Sequence, residues 1–310
     1  MAARGLRYRR IFDPAQRPGA AGDGPLVTGF GDRRSAVDYV YTEQITLAVN
    51  VALATARPLL VRGPAGSGKS SLAADIAARM GWDFLAEVIS SRTQARDLLW
   101  TFDAVQRLRD AQAQLPVSDA AAYVRPGILW YALDPEGAAA RAENPHSRHR
   151  DGAVVLLDEI DKADPDTPND LLVPLGSGTF YVTELKLDVT LQRPLRPLVV
   201  ITTNDERELP KAFVRRCIVL DLPDPEMSWL VKVATNHFGP AEQALYRRVA
   251  RFVIEVRERA VAEGARPPST AEFLDALQAC QHLEIRPGST AWSKVAVSTL
   301  EKWVRAGKSS

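Results

Sequence analysis

The chain has 310 residues, 46% apolar and 25% charged, an ordinary balance for a globular protein of one large or two modest domains. Its 39 basic and 38 acidic side chains nearly cancel, so net charge gives no electrostatic case for nucleic acid or an anionic membrane as partner. No apolar run is long enough to span a bilayer, and Cys217 and Cys280 form neither a disulfide framework nor a metal spacing, so a reducing, cytoplasmic setting is expected.

Residues 1–35 read as an extension. Arg4, Arg7, Arg9, Arg10 and Arg17 crowd its start, and Gly, Pro and Ala dominate from Pro14 to Gly31. Such a segment is expected to be solvated, with one short ordered piece near Leu6–Phe12. The first residues lack an apolar h-region, so no secretory signal is expected. From Asp38 to Ala56 the stripe Tyr41, Ile45, Ala48, Val49 and Ala52 predicts a helix. Pro58 then opens a short apolar strand ending at Arg62.

The next stretch organises the rest. Gly63-Pro64-Ala65-Gly66-Ser67-Gly68-Lys69-Ser70 fits the phosphate-binding pattern GxxxxGK[ST], and Ser71 to Met80 behind it carries Leu72, Ile76 and Met80 at helical spacing. Strand, glycine-rich turn and helix is the arrangement that pattern needs. Glycines let the backbone curl and approach an anion, while the turn's N–H groups and the helix N-terminus supply partial positive charge. Lys69 is expected to reach the β- and γ-phosphates, and the Ser70 hydroxyl to hold Mg²⁺; Gly63 through Ser71 form the expected nucleotide contact.

A second strand is predicted over Phe84–Ile89, followed by the polar run Ser90–Asp97, a helix over Ala104–Gln114 and a short apolar helix over Gly127–Leu133. Residues 134–152 read as a polar surface loop. His146 and His149 lie in it, without an acid or cysteine at ligand spacing, so no metal is expected there.

Ala153-Val154-Val155-Leu156-Leu157-Asp158-Glu159 is the second informative stretch. Five consecutive apolar residues suit a central parallel strand buried on both faces. Two carboxylates at its end need a cation or water to offset their desolvation. With a phosphate loop in the same chain, Asp158 is expected to bind Mg²⁺ through water, and Glu159 to polarise the water that attacks the γ-phosphate. Further on, Asp164–Leu175 predicts a helix, Gly176–Gly178 a turn, and Thr179–Thr183 with Lys186–Leu191 a hairpin. Leu198–Asn204 is another buried strand with a polar end, where the Asn204 amide could orient a water. A fifth strand, Ile218–Leu222, follows Arg215-Arg216-Cys217. The remainder predicts four helices, Glu226–Phe238, Ala241–Glu263, Ser269–Leu283 and Thr290–Ala306, with a capping box at Ser269-Thr270-Ala271-Glu272.

Taken in order, Gly63–Ser70, Leu156-Leu157-Asp158-Glu159-Ile160-Asp161, Thr202-Thr203-Asn204 and Arg215-Arg216 resemble an AAA+ ATPase over about residues 38–305. Leu171–Phe180, the hairpin behind it and Leu209–Cys217 look like the MoxR branch. The resemblance implies a P-loop αβα sandwich with a five-stranded parallel core at 36–222 and a small helical lid at 223–310. It implies ATP and Mg²⁺ as cofactors and a ring, usually hexameric, with ATP at subunit interfaces. Asn204 would be the sensor-1 residue, and Arg216, with Arg215 as alternate, the arginine finger acting on the next subunit. MoxR-like proteins resemble chaperones that remodel or activate a protein client, often one with a von Willebrand A domain. A departure stands at the lid: Ala271 occupies the place of the sensor-2 arginine, with Arg266 nearby. A P-loop small-molecule kinase, a non-enzymatic nucleotide switch in a signalling or defence complex, and a DNA-translocating ring are the alternatives. The acid pair favours water as acceptor, and no basic recognition helix speaks for DNA.

Overall fold

Five short strands pair, all in parallel, into one sheet. In the computed structural model, which describes residues 8–16, 39–113, 119–141 and 150–301, the strands are β1 (Leu59–Arg62), β2 (Asp83–Val88), β5 (Ala153–Asp158), β8 (Leu198–Thr203) and β9 (Ile218–Asp221). Their order is β2-β5-β8-β1-β9, with Leu59 opposite both Val200 and Ile218, and Leu156 opposite Val200. Parallel strands need crossovers, and the helices between them cover the sheet. Helix α1 (Glu43–Thr55) packs on β1 and β9, while α4 (Ile128–Leu133) packs on β2 and β5. The first five residues of β5 are buried and Asp158, its last, is half-buried, as its unbroken apolar run requires.

Two small antiparallel ribbons flank this core: β3 (Trp100–Phe102) with β4 (Val124–Pro126), and β6 (Thr179–Val182) with β7 (Leu187–Thr190). The second was expected. The first was not, since three-residue strands are too short to show alternation. Between its strands lies α3 (Ala104–Gln112), which buries none of its residues. Trp100 stacks on Phe180 at 5.7 Å between ring centroids, and Trp130 meets Phe180 edge-on at 5.8 Å, so aromatic packing ties the two ribbons to α4.

The short ordered piece expected near Leu6–Phe12 is present within the described residues 8–16, and it is packed where a solvated segment was expected. Phe12 is 2% exposed and its ring meets Tyr41 at 5.3 Å. Asn50 on α1 accepts from Ile11 N (2.6 Å) and Phe12 N (2.9 Å) and donates to Phe12 O (2.8 Å). Backbone groups that water was expected to satisfy are satisfied by one buried amide. Three further expectations need correction. Helix α1 starts at Glu43, because the Thr42 side chain caps it by accepting from Ile45 N. The helix expected over Asp164–Leu175 is two short pieces, α6 (Thr167–Asp170) and α7 (Leu172–Ser177); Gly176 and Ser177 lie inside α7, and only Gly178 is the left-handed cap. Within the expected loop 134–152, α5 (Pro135–Ala139) forms under an Asp134 cap, while His146 and His149 lie outside the described residues.

The chain divides into two units. One holds Tyr41–Arg62 and Ala73–Asp221 with residues 8–16; the other holds Gly63–Leu72, residues 39–40 and the chain from Leu222 on. Among its described residues from Leu222 on, the second unit has four helices: α9 (Met227–Phe238), α10 (Gln243–Ala262), α11 (Thr270–His282) and α12 (Thr290–Thr299). Leu230, Tyr246, Val253, Phe273, Leu277 and Trp292 form its core. Ser269 caps α11 through the expected box, accepting from Glu272 N at 3.3 Å while Ser269 N donates to Glu272 Oε2 at 2.7 Å.

Candidate active site

The glycine loop runs from Gly63 into α2 (Lys69–Met80). Gly66 and Gly68 sit at φ +73° and +91°, the left-handed region that disfavours any β-carbon. The space around them is equally restrictive. A β-carbon on Gly66 would lie 2.4 Å from Ser269 Cβ, and one on Gly68 would lie 3.2 Å from the Tyr39 ring. Lys69 is 6% exposed and donates to the carbonyls of Gly63 (2.8 Å) and Pro64 (2.9 Å), so its ammonium is folded over the loop's own backbone. The Ser67 hydroxyl is buried with no hydrogen-bond partner among the described residues. A buried ammonium and an orphaned hydroxyl on one loop fit the phosphate groups of a nucleotide, which would supply the acceptors. Pro64, Ala65, Ser70 and Ser71 lie on the same loop and the first turn of α2.

The acids sit at the end of β5. Glu159 follows Asp158 in the left-handed conformation, at φ +62° and ψ +50°. Its Oε1 accepts from Asn204 Nδ2 at 3.4 Å and its Oε2 from Lys162 Nζ at 2.7 Å. That hydrogen bond holds the Lys162 ammonium above its ordinary pKa. Thr202, fully buried near the end of β8, donates to Asp158 Oδ1 and accepts from Glu159 N at 2.9 Å. Asp161, 3% exposed, accepts on Oδ2 from Asn204 N (3.2 Å) and Glu206 N (3.0 Å). The expected acids and the expected amide therefore meet at the ends of neighbouring strands. The next strand over, β1, ends at Arg62, directly before Gly63.

Thr202, Asp161 and Lys162 had no assigned role in the sequence reading. A signal existed for the first: a threonine at the end of a buried, largely apolar strand must find a partner for its hydroxyl. Asp161 and Lys162 carry no such mark, because their partners are distant in sequence or an ordinary neighbouring charge.

Arg215 and Arg216 follow α8 (Lys211–Val214) and are both exposed; Arg216 Nη1 donates back to Ala212 O at 3.2 Å. Arg215 lines an open charged depression with Arg62, Asp205, Arg207, Glu208 and Lys211. In the first turn of α11, Ala271 Cβ lies 3.8 Å from where a Gly66 β-carbon would stand. Arg266 is exposed. Among the described residues no group of three or more His, Cys, Asp or Glu side chains is placed to hold a metal, and no helix is long and apolar enough to cross a membrane.

A search of curated protein sequences finds no match to this chain. Among solved structures, two single-substitution mutants of Thermotoga maritima RuvB are similar, each at 15% identity. The first covers 84% of this chain and 70% of its own, with a TM-score of 0.46; the second 83% and 67%, with 0.44. A Cytophaga hutchinsonii protein matches at 14% identity over 84% of this chain and 80% of its own, with a TM-score of 0.41. The family model for the AAA domain of the dynein-related subfamily matches residues 58–217, from the strand before the glycine loop to the cysteine after the arginine pair. With that match spanning more than half of its length, and with the parallel core and glycine loop already in view, the chain belongs to the AAA+ ATPase family.

Proposed function

We propose that this protein hydrolyses ATP and that, as a MoxR-type ring, hexameric by analogy, it uses turnover to remodel or activate a partner protein in the cytoplasm. The observation that carries the hydrolytic reading is the contact between Glu159 and Asn204 at the ends of adjacent parallel strands. A carboxylate and an amide side by side can accept a proton from a water and fix its orientation. Gly63 to Ser71 would hold the phosphates, and Ser70 with Asp158 would hold Mg²⁺, which when bound offsets phosphate charge. Arg216, exposed and just beyond a short helix, is available to a neighbouring subunit; a trans-acting arginine contributes roughly 10³–10⁵ in rate in comparable systems. The client, with a von Willebrand A domain as the leading candidate, rests on the MoxR resemblance alone.

The test is phosphate release without any added acceptor. Lys69→Ala should abolish nucleotide binding. Arg216→Ala should bind nucleotide but not turn over, and mixing it with the Lys69→Ala protein should restore part of the activity. Absence of release at high protein concentration would refute the hydrolase. No recovery at any mixing ratio would refute the shared interface. One observation favours a second reading, a slow nucleotide switch: the Lys162 ammonium occupies one carboxylate oxygen of Glu159. Assembly that persists with ATP in Glu159→Gln, together with negligible wild-type turnover, would select it.

A further inference from the structure

The β5–β8 ladder ends at Leu157 opposite Ile201. Beyond that point side chains replace main-chain pairing, and Thr202 supplies the bonds. Its hydroxyl has one proton and can also accept. The proton goes to Asp158 Oδ1 at 2.5 Å, and the same oxygen accepts the Glu159 N–H at 2.9 Å. One atom therefore bonds both the Asp158 carboxylate and the backbone of Glu159. That backbone is in the left-handed region, which a residue with a β-carbon leaves unless something holds it. Thr202 is fully buried, so water cannot stand in for its hydroxyl. Asp161 makes the reciprocal tie from the segment after Glu159 to the backbone of Asn204.

We propose that Thr202 is a positioning residue for the hydrolytic site: its hydroxyl holds Glu159 in the left-handed turn that presents the carboxylate to Asn204, and fixes Asp158 at the same time. The kinetic part of this inference rests on the ATPase reading; the geometric part does not.

The experiment compares Thr202→Val, which keeps the shape and removes the hydroxyl, with Thr202→Ser, which keeps the hydroxyl. The nucleotide-free arm is hydrogen exchange by mass spectrometry over residues 157–163. Removing the acceptor of the half-buried Glu159 N–H should speed exchange in Thr202→Val by about tenfold or more, with Thr202→Ser within about threefold of wild type. In the kinetic arm, kcat for phosphate release should fall at least about tenfold in Thr202→Val with KM for ATP within about threefold, and Thr202→Ser should recover most of it. A residue that only fills the sheet would lower the melting temperature without this kcat-against-KM split. Wild-type exchange in Thr202→Val, or a serine variant no better than valine, overturns the proposal. If Thr202→Val does not melt cooperatively, Thr202→Ala takes its place in both arms. If the wild type itself releases no phosphate, the ATPase reading falls and the exchange arm alone upholds or overturns the positioning role.

Discussion

Replacing Gly66 with alanine tests whether the glycine loop and the cap of α11 share one space. At φ +73° an L-residue costs about 1–2 kcal/mol. The added β-carbon would also lie 2.4 Å from Ser269 Cβ and 2.6 Å from Ser269 Oγ. Ser269 cannot retreat freely, since its backbone N–H and its hydroxyl are both engaged with Glu272. Displacing it forfeits a cap worth about 0.5–2 kcal/mol. The sum is about 1.5–4 kcal/mol, which at about 2–4 °C per kcal/mol for a large domain lowers Tm by roughly 3–16 °C. The two contributions separate in a double mutant. Glycine at an N-cap costs only a few tenths of a kcal/mol and removes both clashing atoms, so Ser269→Gly should recover the steric part in the Gly66→Ala background and leave about 1–2 kcal/mol of backbone strain. Thermal melts of the four proteins measure the cycle, and binding of a fluorescent ADP analogue reports the loop. If Gly66→Ala melts like wild type, or Ser269→Gly gives no recovery, loop and cap do not compete for that volume and the reasoning fails.

Asn50→Ala should release the N-terminal segment. It strands the Phe12 N–H and carbonyl, at about 1–3 kcal/mol for each buried group left unpaired, so even 2 kcal/mol raises the detached population roughly 30-fold. Trypsin cleavage at Arg10, mapped by mass spectrometry, should accelerate accordingly; an unchanged rate would mean that Phe12 packing alone holds the segment. Burial pushes the Cys217 thiol up to about 12 and the Cys280 thiol up to about 11, despite the lowering influence of Arg62 and Arg57 on the former. Neither should react with dithionitrobenzoate at pH 8 until urea unfolds the chain; rapid labelling of the native protein would contradict their burial. Because the unfolded thiols ionise near pH 9, the stability they contribute is complete below that value and is lost as pH rises toward 11 and 12. The urea midpoint should therefore fall between pH 9 and pH 11.

The glycine loop and the strand ending in Asp158-Glu159 were legible because their signals are local. A left-handed backbone needs glycine, and a buried strand needs consecutive apolar residues, so both appear as short words in the sequence. The capping box at Ser269 was legible for the same reason. The β3–β4 ribbon was not, because its strands are too short for periodicity to register. The anchoring of Phe12 was missed because Asn50 lies 38 residues away and reads as one polar residue on a helix.

The amino-acid order alone determined the succession of strands, the glycine loop, the acid pair, the arginine pair and the helical end, since each follows from propensity and spacing along the chain. The tertiary structure decided which groups serve one another: Thr202 with Asp158 and Glu159, Asp161 with the backbone of Asn204, Ser269 with Gly66. The reason is physical. A hydroxyl or carboxylate becomes costly only once it is buried, and its partner is whichever group the sheet and the helices bring within about 3 Å.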